Sequence, residues 1–589
     1  MLSFVLYAQT DFDLAENYYD KGEFEKALFI YQKLYEDNPV NSNLVFRIIE
    51  IQQELQRFEK ADQVIKHQLS TSNNPQMLVE LGYNFQLQNN FQQAEINYKK
   101  AIDAARTTIN YGYAIALRFE EHSLVDQAIE VYQLALTQTK NSNYEYRLAG
   151  LYAEKKDISN MFLSYLNFTE QNPSFLNQVF RLFEDYISED SEAEYNQMLK
   201  KIILKKLQTN PSIFWNQMLS WLYVQQADFN KALQQEKAIF RRNLTAIQGV
   251  IDVGLMAKSA KVYDVSLEAF KYVLKYSQSI PLTLEAHGQL LELELIRSDF
   301  TDYKKIQEQY QILFERYGIT PETVKLHLSY ADFLASHVQQ KAQAISFLKD
   351  ALKTPLPKLN LCQLKLKLAD ILVTNSQFSQ ALLYYAQVQT TLKNSTLAQE
   401  ARFKSAQTSY FKGDFDWAEA QLQVLKSSTS QLIANDALDL KLLITDHKFG
   451  DSLQTPLRLY AKADFLHHQN KINEAVQVLH QLMDEHNTHA IVDQALLFQA
   501  KLYKALQQPQ KAQANYLKII NDYPSEILVD DAHFALAELF RVELDQPEQA
   551  MHHYEQIIFN HPDSIHFVSS KKYFRQIRDK NNVPSKEDL

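Results

Sequence analysis

Phe24-Glu25-Lys26-Ala27-Leu28-Phe29-Ile30-Tyr31-Gln32-Lys33-Leu34, closed by Pro39, is the phrase on which the rest of the chain aligns. Its pattern is an aromatic or acidic residue, two residues, Ala27, three residues, Tyr31, two residues, Leu34. Upstream stand Leu14, Ala15 and Tyr18. Spacings of three and four place these residues on one face of a helix. The physical reading is a helix pair. A small side chain at Ala27 sits where the second helix crosses the first and lets the two backbones approach, and Tyr31 fills the gap to the next pair.

The phrase recurs. Its alanine position falls at Ala27, Ala61, Ala94, Ala128 and Met161, spaced 34, 33, 34 and 33 residues apart. It returns at Ala232 and Ser266, 34 apart, then at Ala344, Ala381 and Ala418, each 37 apart, and at Ala475, Ala512 and Ala550, 37 and 38 apart. The wider gaps fit degenerate copies with Tyr195 and a residue near Tyr303 at that position. The upstream phrase repeats as Leu81-Gly82 with Phe85, Ile115-Ala116 with Phe119, Leu148-Ala149 with Tyr152, Leu219-Ser220 with Tyr223 and Leu368-Ala369 with Leu372. Closing prolines stand at Pro39, Pro173, Pro524 and Pro562.

The bulk composition agrees. At 589 residues the chain is too long for one compact core, which stops growing at roughly 250–300 residues. It holds only 10 glycines, far below the average usage of about 7%. A doubly wound or all-β enzyme spends glycine on tight turns and phosphate loops. The net charge of −11 comes from 60 basic and 71 acidic residues interspersed along the chain. Nucleic acid is disfavoured, because no basic stripe is present to displace phosphate counterions. No stretch of 18 apolar residues exists, so no transmembrane segment is expected. Cys362 is the only cysteine, so neither an intramolecular disulfide nor a cysteine-based zinc site is possible.

At all of its signature positions the recurring phrase resembles the tetratricopeptide repeat. The resemblance implies an all-α fold: a superhelical solenoid of antiparallel helix pairs, about 15 units, each burying its apolar face against its neighbours. It also implies a non-enzymatic scaffold or adaptor with no cofactor, whose ligands are partner proteins. In this family the first helix of each unit lines a concave groove through positions 2, 5, 9 and 12. In the register of the alanines, position 2 is Gln9, Asn43, Gln76, Asn110 and Asn143 in the first five units, and position 5 is Phe12, Phe46, Val79, Tyr113 and Tyr146. Tyr83 and Trp221 fall at position 9. An amide ladder thus runs beside a mostly aromatic one. Carboxamides offer donor and acceptor together, matching an extended peptide backbone, and aromatics give contact area at low entropic cost. Asn, Gln, Tyr and Phe are also abundant throughout the chain, so composition alone would give part of this run. Tetratricopeptide domains of chaperone adaptors use a Lys/Asn/Arg clamp instead. The matching face here carries Glu16 and Glu50 with no ordered basic set, which argues against that role.

The expected organisation is a signal-peptide remnant at 1–9, regular units at 10–173, partly degenerate units at 174–357, units with longer helices at 358–446, a break at 447–456, C-terminal units at 457–564, and a capping helix with tail at 565–589. Pro355-Leu356-Pro357 marks one boundary, since proline cannot donate to a helix. Met1 to Ala8 reads either as the end of a secretory apolar region whose start codon was assigned too late, or as an apolar first turn. The last 130 or so residues resemble tetratricopeptide units of bacterial envelope proteins, namely outer-membrane assembly lipoproteins and cell-division coordinators. This implies a periplasmic protein associated with outer-membrane machinery, though no lipobox cysteine is present. A cytoplasmic regulatory repeat protein binding signalling peptides is the alternative. A third reading hides an enzyme in 174–211 or 282–357, stretches short for a catalytic domain.

No phosphate-binding, nucleophile-elbow or zincin motif occurs, and no catalytic residues are assigned. His486 and His489 with Asp493 have ligand-like spacing, but a metal site needs three or four convergent ligands, so the expectation is turn polarity and no metal. Cys362 reads as a buried small hydrophobe. Trp215 and Trp417 read as packing residues.

Overall fold

The structure, a computed structural model, describes residues 2–39, 41–72, 74–297, 302–425, 431–449 and 453–581, without the side chains of 2–10, 109, 431–432 and 580–581. Among the described residues are 32 α-helices and no β-strand. Thirty of the helices follow one another as first-helix and second-helix pairs. The expectation of about 15 units of tetratricopeptide-type pairs holds. The chain divides into two compact units, 1–276 and 277–589.

In the first unit five regular pairs come in order: α1 (Leu2–Asp20) with α2 (Phe24–Asp37), α3 (Ser42–Glu54) with α4 (Phe58–Ser72), α5 (Gln76–Leu87) with α6 (Phe91–Thr107), α7 (Gly112–Glu121) with α8 (Val125–Thr139), and α9 (Asn143–Glu154) with α10 (Ile158–Gln171). The alanine register is correct in both units. Ala27, Ala61, Ala128, Ala232, Ser266, Ala344, Ala381, Ala418, Ala475, Ala512 and Ala550 are all wholly buried. Tyrosines four residues on, among them Tyr31, Tyr132, Tyr385, Tyr516 and Tyr554, are buried too. At Gly82 the approach of α5 to α6 is so close that a methyl group would overlap the Tyr98 ring and lie 3.2 Å from the Ala94 carbonyl oxygen.

The two degenerate copies need correction. Tyr195 is exposed; the buried stripe of its helix is Asn196, Leu199 and Ile203. Asn196 fits because its amide donates to the carbonyls of Ser188 (2.7 Å) and Asp190 (2.6 Å). In the helix Tyr303–Tyr317 the crossing position belongs to Ile306, followed by Tyr310 and Leu313 at the expected spacing. Both copies were displaced because a polar or large residue occupies the place where the phrase expects alanine.

The turns within the pairs explain the scarcity of glycine. Most of those described are left-handed C-caps: Gln56 (φ 56), Asn89 (φ 60), Ser123 (φ 55), Lys156 (φ 59), Ala227 (φ 54), Lys261 (φ 62), Ser376 (φ 60), Asn470 (φ 59) and Gln507 (φ 58) hold them, with glycine at Gly22 and Gly413. The next amide bonds back five residues, as Arg57 to Gln52 (2.8 Å), Asp157 to Tyr152 (2.8 Å) and Gln508 to Tyr503 (2.9 Å). This is the Schellman arrangement, which satisfies carbonyls that a helix end leaves open.

In the second unit one core runs through successive pairs. Pro355 to Pro357 separates the helices Lys341–Ala351 and Lys358–Thr374. Between Ala418 and Ala475 a single unpaired helix, Gln431–His447, is inserted. The next first helix, Thr455–His468, packs on Thr396–Lys412, with the Phe465 and Phe411 rings 5.2 Å apart. The first helices of two pairs end in a π turn, at Phe333–His337 and Leu539–Glu543. The last helix, Phe567–Asn581, closes the array and lays Tyr573 5.8 Å from Tyr554.

Candidate binding groove

In the first unit the first helices α1, α3, α5 and α7 wall a groove of about 920 Å³. Of the residues expected to face a ligand, the structure brings Phe12, Asn43, Phe46 and Tyr83 together in this lining. Phe12 lies edge-on to Tyr31 at 5.9 Å, and Tyr83 stacks on His122 at 3.9 Å. Asn43 is exposed, as are Asn110 and Asn143 farther along. None of these three carboxamides has a side-chain hydrogen bond among the described residues. Gln76 differs: its amide donates to the Ala114 carbonyl at 3.1 Å and so ties α5 to α7. The Gln9 side chain lies outside the described residues.

Tyr113 is 41% exposed, with its hydroxyl accepting from Arg147 at 3.1 Å. Tyr146 packs on Phe168 (5.1 Å) and Tyr165 (5.7 Å). Trp221 lies flat on Phe180 at 4.4 Å, half-buried, so one ring face is taken. Val79 is buried and faces no ligand. These four stand outside the lining of the 920 Å³ groove. Trp215 is buried and donates to Glu170 at 2.9 Å, whereas Trp417, expected in the packing, is 53% exposed. Cys362 is buried, which pushes its thiol up.

What the sequence reading missed is an ionic chain along the groove floor. Glu16 accepts from the Tyr31 hydroxyl. Arg47 donates to both oxygens of Glu16 (3.0 Å each) and to Glu50 (3.0 Å). Arg118, only 6% exposed, binds Glu80 and Glu121, reaches Glu50 at 3.2 Å, and covers the Phe46 ring at 4.1 Å. Glu80 is wholly buried; His122 donates to its Oε1 at 2.9 Å, while Oε2 has no partner. Burial pushes the Glu80 carboxyl up, but the His122 hydrogen bond and the Arg118 charge outweigh it and hold the group below its ordinary value. The available signal was Glu and Arg at positions 6, 9 and 10 of successive first helices. Long side chains from those positions reach across to the next unit.

Elsewhere, His489 Nδ1 accepts from the Ile491 amide (3.1 Å) and Asp493 from Gln494 (2.6 Å), so both serve the turn. No grouping of three or more His, Cys, Asp or Glu side chains suited to a metal occurs among the described residues. No helix among them is long and apolar enough to cross a membrane.

Residues 494–525 match the family model of the tetratricopeptide repeat. Among solved structures the chain is similar to one in the Naa15/Naa10 complex bound to HypK-THB (12% identity, covering 98% of each chain, TM-score 0.26). It is also similar to one in the APC/C hetero-tetramer Cut9-Hcn1 (11% identity, covering 96% of this chain and 95% of that one, TM-score 0.24). No curated protein matches the sequence.

Proposed function

We propose that this chain is a non-catalytic scaffold that holds an extended segment of a partner protein along the first helices of its first five pairs. The observation that carries the reading is the 920 Å³ groove with its neighbouring exposed carboxamides and Tyr113. Exposed aromatics beside open amides suit a peptide backbone and its side chains. The test is affinity purification of the full chain against the variant N43A/N110A/N143A, with helicity checked by circular dichroism. Loss of bound proteins from a folded variant supports the groove; an unchanged set overturns it. Gln76 is left intact because it holds α5 to α7.

The compartment proposed is the bacterial periplasm, in association with outer-membrane machinery. It rests on the apolar stretch Met1 to Ala8 and on the resemblance of the C-terminal phrases. Release of the tagged protein by osmotic shock would support it. Retention in the cytosolic fraction would favour the regulatory alternative.

A further inference from the structure

We infer that the groove between α1, α3, α5 and α7 takes a cationic side chain, arginine foremost, on the extended partner segment. The inference rests on the groove reading above and names the chemistry of its ligand.

The lining carries four carboxylates, Glu16, Glu50, Glu54 and Glu121, against two guanidinium groups, Arg47 and Arg118. Both guanidiniums are already engaged with carboxylates of the floor. Neither is left to receive an anion. Glu54, at the end of α3, is different: it is exposed, lines the groove, and makes no hydrogen bond or ion pair among the described residues. Its charge reaches Tyr19 and Tyr83, which line the same groove, and helps raise both phenols above their ordinary values after burial has done so. An unpaired carboxylate in a groove that also carries tyrosines is a site for a planar cation, which gains first from the charge. The groove shows this preference within itself, since Arg47 lies over Tyr19 at 4.9 Å and Arg118 over Phe46 at 4.1 Å.

A second observation is independent of charge. Gln53 lines the same groove, is only 6% exposed, and its amide nitrogen is buried without a partner. A buried polar group left unpaired is costly and calls for a partner. Its carboxamide adjoins Glu54 in sequence and offers donor and acceptor to an incoming chain. The side-chain oxygen is placed to accept from a guanidinium.

The experiment uses the full chain and fluorescein-labelled Gly/Ser ten-residue peptides carrying two arginines, two citrullines or two glutamates, read by fluorescence anisotropy. Citrulline keeps the shape of arginine and removes its charge. The expected result is saturable binding of the arginine peptide, weaker by about tenfold for citrulline and absent for glutamate, and weakened by added salt. E54Q, at an exposed position, should cost the arginine peptide about tenfold and leave the citrulline peptide unchanged. Equal binding of arginine and citrulline peptides, insensitive to E54Q, would overturn the cationic preference while leaving a peptide groove. Arginine-peptide binding unaffected by E54Q and Y83A together would place that binding elsewhere and overturn the site. Failure of the groove reading shows separately, as an unchanged partner set in the N43A/N110A/N143A variant.

Discussion

The same three-residue device occurs in both units, with different surroundings. In the first, Tyr31 donates to Glu16, which Arg47 of the next pair neutralises. In the second, Tyr385 donates to Asp370 at 2.7 Å, and Lys404 of the next pair neutralises it at 2.8 Å. In each the tyrosine stands fifteen residues after the acid and four after a buried alanine. The repeat therefore fixes the device. The neighbours decide what becomes of it. Around Glu16, helices α5 and α7 bring Tyr83, Arg118 and Glu121, and the space is about 920 Å³ with carboxylates in excess. Around Asp370 the cleft is about 260 Å³, Lys341 stands on its wall, and Lys404 is shared with Glu400 at 2.9 Å. A closed packing element and an open groove thus differ by what the adjacent units add.

The sharpest test of that contrast is E80A. It leaves Arg118 buried with part of its charge unmatched, so urea unfolding should show a loss of about 3–5 kcal/mol. D370A, at a partly exposed pair, should cost about 1 kcal/mol. Equal losses would erase the distinction between the two sites. Next in size, A128L should overpack the α7–α8 crossing and cost about 1–3 kcal/mol in the same measurement. A neutral result would mean that the pairs adjust freely.

The second unit has a pH signature of its own. Burial pushes the Asp464 carboxyl from its ordinary 3.8 up to about 6. The folded chain then holds the proton more tightly than the unfolded one, so stability falls as pH rises from about 4 to 6. D464N should gain about 1–3 kcal/mol at pH 8 and nothing near pH 4, seen as a Tm difference that closes on acidification. A constant difference would place the cause outside titration. The smallest effect belongs to the turns common to both units. K261G removes a side chain from a left-handed backbone (φ 62) and should stabilise by about 0.5 kcal/mol.

Much of this was legible in the sequence. Ala27 and its counterparts reported the helix crossings because only a small side chain allows that approach, and their burial is close to complete. Phe12, Asn43, Phe46 and Tyr83 were found by family register and do share the groove. The ionic chain was only partly legible: the register marks Glu and Arg at positions 6, 9 and 10, but not that Arg118 meets Glu50 across 68 residues and Glu80 across 38. Tyr146 and Trp221, picked by the same register, pack on Phe168 and Phe180, while Tyr113 stays exposed with its hydroxyl on Arg147.

The amino-acid sequence by itself determined the helix pairs, their spacing and the residues at each crossing, since these depend on local periodicity and side-chain size. The tertiary structure decided which charges are paired, which carboxylate and carboxamide stay open, and where a ligand-sized space remains. Those outcomes depend on long side chains meeting across neighbouring units, and the distances that govern them exist only once the helices are stacked.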